Sequence, residues 1–168
     1  MTRVIVALIC AAFAQAPAPA HVVALHADLE SPSAARAMVV LRAFVDRHPG
    51  VAAIEFHLAP PRGELRAVDR AVIAAQAQKA GLEMAELILA NPGRLSADDL
   101  VAMARQLRLD DAAFRKALTQ DTVDESVAAD LAAATAAKPP RPLLLTIDGQ
   151  AWTGEVTLPG LESRLAVR

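Results

Sequence analysis

One cysteine, Cys10, is the only thiol in this 168-residue chain. A lone thiol excludes an internal disulfide framework and a cysteine-rich metal site. Aromatic residues are scarce too, at 3%, with no tyrosine and a single tryptophan. The chain is nevertheless 54% hydrophobic, because 39 of its residues are alanine. Alanine favours helices but buries little area per residue. There is no basic run and the formal net charge is −2, so the electrostatic footprint of a nucleic-acid binder is missing. Glycine and serine tracts are absent, which argues against disorder and for one domain with a real core. No G-x-S-x-G marks a nucleophile elbow, no H-E-x-x-H marks a zinc helix, and the glycines form no phosphate loop.

What is present begins with an address. Arg3 is followed by an apolar run, Val4 to Phe13, and then by small residues in A-x-A form. That pattern predicts a secretory signal peptide cleaved after Ala14, and it takes Cys10 out of the mature protein. The run is too short to span a bilayer stably, so no lasting membrane insertion is expected. A buried N-terminal strand is the other reading of the same residues. Residues 15–20 (QAPAPA) follow as a Pro-Ala leader.

The mature chain then reads as strand, helix, strand. His21 to Leu29 is β-branched at its start and roughly alternating. Ser31-Pro32 opens a helix as N-cap and first-turn proline, and His48-Pro49-Gly50 stops it. Val51 to Leu58 is the second strand. From residue 64 to 138 the spacing is helical throughout. One long helix is expected over 64–80, a short one over 82–91, a third capped by Ser96 and Asp99, and a fourth capped by Asp110. A fifth carries Val123, Val127 and Leu131. Leu143 to Ile147 restores the strand pattern, and Asp148-Gly149 predicts a tight hairpin to a strand over 151–156. Leu158, Leu161 and Leu165 close the chain as a helix. The order β-α-β, helical insert, β-β-α is an α/β thioredoxin-like arrangement with an all-helical insertion. The expected division is residues 1–20 as signal and leader and 21–168 as one domain, with the insert at about 64–138.

Four strings extend this reading. HADLESPSAARA (residues 26–37) resembles the active-site segment of the DsbA-like thioredoxin-fold disulfide oxidoreductases. RHPGVAAIEFHLAP (47–60) resembles that family's second strand, and residues 83–118 its helical insert. RPLLLTIDGQAWTG (141–154) resembles its proline-led hairpin. The matches are collinear over nearly the whole mature chain. Where the family carries C-P-x-C, this sequence has Ser31-Pro32-Ser33-Ala34. Disulfide exchange needs a thiolate, and a hydroxyl at a helix N-terminus neither ionises usefully nor forms a mixed disulfide. The resemblance therefore implies a redox-inactive variant without a cofactor. It is expected to be exported to the periplasm and to bind a polypeptide partner in the groove by Arg141 and Pro142. Pro142 aligns with the family's cis proline, and Arg141 stands where a small or β-branched residue is usual.

A rival resemblance rests on Asp28-Leu29-Glu30-Ser31-Pro32. It is similar to the D-x-x-S-P-Y-S segment of glutathione-dependent 2-hydroxychromene-carboxylate isomerases and kappa-class glutathione transferases. That reading implies an enzyme in which Ser31 holds the glutathione thiolate. The simplest alternatives also stand. Ser31-Pro32 can be a plain helix cap, Pro139, Pro140 and Pro142 can merely separate a helix from a strand, and the domain can be a structural relic. His26, Asp28, Glu30 and His57 are candidate metal ligands by residue type, but their spacing matches no metal motif and no metal is expected.

Overall fold

The computed structural model describes residues 18–61, 65–119, 128, 132 and 143–167. The predicted signal peptide, Arg141 and Pro142, and all of the predicted fifth helix except Ala128 and Ala132 lie outside the described residues. In chain order the elements are β1 (His21–Ala27), α1 (Pro32–Arg47), β2 (Ala52–Leu58), α2 (Ala67–Gln76), α3 (Gly81–Ala90), α4 (Ala97–Gln106) and α5 (Asp111–Leu118). β3 (Leu143–Ile147), β4 (Gln150–Ala151) and α6 (Leu158–Arg164) complete them.

The sheet has the order β2-β1-β3-β4, with β1 and β2 parallel and the other two pairs antiparallel. β1 is central, and its Val23, Leu25 and Ala27 are buried. Against the sheet α1 sets a stripe of Ala34, Ala37, Met38, Leu41 and Phe44, all buried. The helical block has its own interior: Val68 and Val72 from α2, Met84 and Ile88 from α3, Leu100 from α4, and Phe114 from α5, each nearly or wholly inaccessible. Buried alanines at 71, 74, 75, 85 and 104 fill the spaces between them. Small side chains let helix axes approach closely, so the alanine-rich composition becomes tight packing rather than large buried area per residue.

Most element boundaries follow local chemistry. The Ser31 side chain accepts from Ala34 N and Pro32 occupies the first turn of α1. Ser96 and Asp99 form the reciprocal capping box of α4, and Asp110 accepts from Ala113 N at 2.6 Å to start α5. Asp148 and Gly149 have φ of 50° and 76°, the left-handed pair that a two-residue hairpin requires. The Asp148 carboxylate also accepts from Val22 N at 2.9 Å and meets His21 Nδ1 at 2.8 Å, fastening the hairpin to β1.

Two expectations need correction. The helix expected over 64–80 runs only from Ala67 to Gln76. Its end is a left-handed residue, Lys79 at φ 64°, with Ala80 N returning to Ala75 O. Gly81 then starts α3 so close to α2 that a Cβ there would lie 3.0 Å from Gln76 Cβ. α2 thus closes through the left-handed Lys79, and the chain turns directly into α3 at Gly81. The strand expected over 151–156 is the two-residue β4, with one further bond from Trp152 N to Leu145 O at 2.7 Å. At Gly154, φ of 136° turns the chain out of the sheet into a conformation open only to glycine.

Candidate functional site

β1 delivers the candidate site. Its last residue, Ala27, pairs with Leu143 at the start of β3, so the loop leading to α1 and the entry to β3 share one end of the sheet. Leu29 is buried and anchors that loop. Asp28 O accepts from Ser31 N at 3.0 Å, and the Asp28 carboxylate accepts from Glu30 N at 3.0 Å. This pair of local bonds sets Ser31 at the N-cap with extended backbone. Ser31 is 8% exposed, and its Oγ is shared between Ser33 Oγ at 2.7 Å and Ala34 N at 3.4 Å. All four residues of the S-P-S-A segment thus sit at or within the first turn of α1, and none brings a thiol there.

Behind this loop lies an ion cluster that the sequence reading missed. Arg66, the N-cap of α2, reaches Asp28 through Nη2 at 2.5 Å and Glu30 through Nη1. Its Nε and its backbone N both donate to Asp69, at 3.1 and 2.9 Å. Asp69 is fully inaccessible and so depends on Arg66 for its charge balance. Burial raises the Asp69 carboxyl, the Arg66 hydrogen bonds pull it back, and the balance stays above the ordinary aspartate range. Burial works against the Arg66 charge as well, but its bonds to Asp69 and Asp28 outweigh that and hold it above the ordinary arginine value. One guanidinium therefore ties the S-P-S-A loop to the helical block. A signal for it existed: Asp69 interrupts the apolar stripe Val68, Ala71, Val72, and a carboxylate there needs a buried cation.

The candidate ligands His26, Asp28, Glu30 and His57 do not converge. β1 ends at Ala27, and Asp28 and Glu30 turn to Arg66. The parallel register sets His26 opposite His57, and their rings stack with centroids 4.4 Å apart. Among the described residues no group of three or more His, Cys, Asp or Glu could hold a metal ion.

Beside the S-P-S-A tip runs an open groove of about 730 Å³. One wall is α1 from Ser33 to Val40, and the other is the segment 154–158 that Gly154 turns out of the sheet. Leu143 and Leu89 complete it. Val39, on the α1 side, is 71% exposed.

Neither a protein-family model nor a curated protein matches the chain. Solved structures do. The thiol-disulfide exchange protein alpha-DsbA2 from Wolbachia pipientis matches with a TM-score of 0.73 at 12% identity, over 88% of this chain and 81% of that one. The fold is the DsbA-like thioredoxin fold. A thioredoxin-like oxidoreductase from Silicibacter pomeroyi matches at 0.68 and 18% identity, covering 89% and 87% of the two chains. The oxidoreductase DsbA from Xylella fastidiosa matches at 0.61 and 17%, covering 87% and 84%. In this DsbA-like thioredoxin fold, the strand-to-helix junction at Ser31 and the entry to β3 are neighbours, as the collinear strings implied. No helix among the described residues is long and apolar enough to cross a membrane.

Proposed function

We propose that this chain is an exported, redox-inactive protein on the DsbA-like thioredoxin fold that binds an extended polypeptide in the groove between α1 and residues 154–158. The observation that carries the reading is the pairing of a thiol-free helix tip with an open, largely apolar groove beside it. Ser31-Pro32-Ser33-Ala34 supplies no sulfur for a mixed disulfide. The groove offers Val39, Val40, Leu143, Val156 and Leu158 to a ligand. From Ser33 to Val40 the α1 wall spans about 10 Å at ~1.5 Å per residue, the length of about three residues of extended chain. Arg141 and Pro142 precede Leu143 directly and would extend the binding surface. Residues 1–20 act as export signal and leader, and 21–168 form the working domain, with about 64–138 as its helical insertion.

The test is an insulin-reduction assay on the mature protein, run beside a titration of labelled apolar peptides and of glutathione. The expected result is no turnover, saturable peptide binding with amide shifts confined to the groove, and no glutathione binding. Redox turnover would overturn the reading. Saturable glutathione binding that Ser31→Ala abolishes would replace it with the glutathione-dependent enzyme.

A further inference from the structure

Two charges without a partner among the described residues stand in the largely apolar lining of the groove. Arg36 lines it from α1 and Glu155 from the segment after β4, and both are exposed. Neighbouring arginines are engaged: Arg42 with Glu86 at 2.5 Å, Arg47 with Glu162 at 3.3 Å, Arg66 with its three carboxylates. Among the described residues, Arg36 and Glu155 take part in no hydrogen bond or ion pair, with each other or with any third group. The described lining carries a cation on the α1 side and an anion on the segment after β4, and no other charged residue among those described.

We propose that these two residues select the ligand: the groove takes an extended segment whose apolar side chains are accompanied by one acidic residue directed at Arg36 and one basic residue directed at Glu155. The inference rests on the peptide-binding reading above. An apolar surface alone leaves an extended chain free to slip, because every second side chain presents the same face. Charges on opposite walls remove that freedom. Successive side chains of an extended segment point to opposite sides, so an acid and a base that reach opposite walls stand at odd spacing, i and i+1 or i and i+3. Even spacing sends both to one wall, where one of them meets its own sign or none. Like-sign pairs oppose one wall whatever their spacing. Charge placement of this kind sets partner choice and on-rate more than total affinity.

Fluorescein-labelled decapeptides with a constant Val, Leu and Ala framework test this by anisotropy. They carry a Glu–Lys pair at spacing one, two or three, two Glu, two Lys, or no charge. Wild-type protein is expected to favour odd-spaced Glu–Lys peptides over the like-charged ones by about two- to fivefold per mismatched charge. That preference should fade at ~1 M salt, where the screening length falls to about 3 Å. Arg36→Glu makes both walls acidic and should pass the preference to two-Lys peptides. Glu155→Lys should pass it to two-Glu peptides. Both positions are exposed, and unchanged melting temperatures would certify the variants as folded. Equal binding of all peptides to all three proteins would overturn the charge assignment while leaving the groove intact. If no peptide binds wild-type protein, the peptide-binding reading falls, and the inference with it.

Discussion

Replacing Arg66 by methionine tests the ion cluster most directly. The substitution keeps the length and apolar stem of the side chain and removes only the guanidinium. Asp69, with no accessible surface, then holds a carboxylate that has lost its hydrogen bonds to Nε and Nη2 and its counter-charge. Stranding one partner of a buried pair costs about 3–5 kcal/mol, against a total of about 5–15 kcal/mol for a domain. At ~2–4 °C per kcal/mol for a protein of this size, the melting temperature should fall by about 6–20 °C. Urea unfolding followed by far-ultraviolet circular dichroism measures the loss. The double variant Arg66→Met/Asp69→Leu should recover most of it, because an apolar pair of similar volume often equals or exceeds a buried ion pair. The pH dependence has a definite sign. Without Arg66 the folded-state Asp69 carboxyl rises further above its unfolded value, so the ionised form is the penalised one. The penalty is full above the folded-state pKa and shrinks as pH falls through it, so wild type and variant converge toward pH ~4. A loss below about 1 kcal/mol that is flat in pH would mean that the pair behaves as an exposed one, and the reasoning would be wrong.

Three further outcomes follow from the packing and caps. Phe114, fully buried, is the one α5 residue in the core, so Phe114→Ala should cost about 3–5 kcal/mol in urea unfolding. Ser31→Ala should cost only about 0.5 kcal/mol, at the low end for an N-cap, because its bond to Ala34 N is long at 3.4 Å; peptide affinity should not change. Val22 N, and then His21, hold the Asp148 carboxyl below the ordinary aspartate range, so its contribution is present above the unfolded value of 3.8 and is lost as pH falls through the lower folded value. Amide exchange at Val22, followed down the acid range, should quicken only below pH 3.8.

Legibility in the sequence tracked the range of the interaction. Ser31-Pro32, Ser96 with Asp99, Asp110, and Asp148-Gly149 each act within four residues, and each marks the boundary it was read to mark. The β-α-β start and the proline-led hairpin are likewise local strings. What escaped was set by contacts across the chain. Arg66 is 36 and 38 residues from its partners Glu30 and Asp28, and although Asp69 in the apolar stripe of α2 calls for a cation, nothing local points to those two distant carboxylates. α2 ends at Gln76, although residues 76–80 (QAQKA) are all good helix formers, so nothing local marked its stop. Gly154 was read as part of a strand, although its φ of 136° is what swings residues 155–158 outward to become a groove wall. The groove therefore had no signature of its own, even though half of it lies on a helix whose start was read correctly.

The chemistry of the helix tip bears on why the proposed binding surface lies beside it. A helix N-terminus offers unpaired N–H groups, and a thiol placed there is driven toward the thiolate because those groups stabilise the anion. In this chain the Ala34 N–H is taken by Ser31 Oγ, which in turn shares a hydrogen bond with Ser33 Oγ. The tip has committed its cap hydroxyl to its own backbone, and at 8% exposure Ser31 presents little surface to a ligand. A ligand that engaged Ser31 would first have to break bonds already made. Along the groove the balance is reversed. Val39 and its neighbours gain from leaving water, and Arg36 and Glu155 have no internal partners among the described residues to give up. The same dipole that would activate a cysteine is spent here on a cap, and the free energy open to a partner lies one turn further along α1.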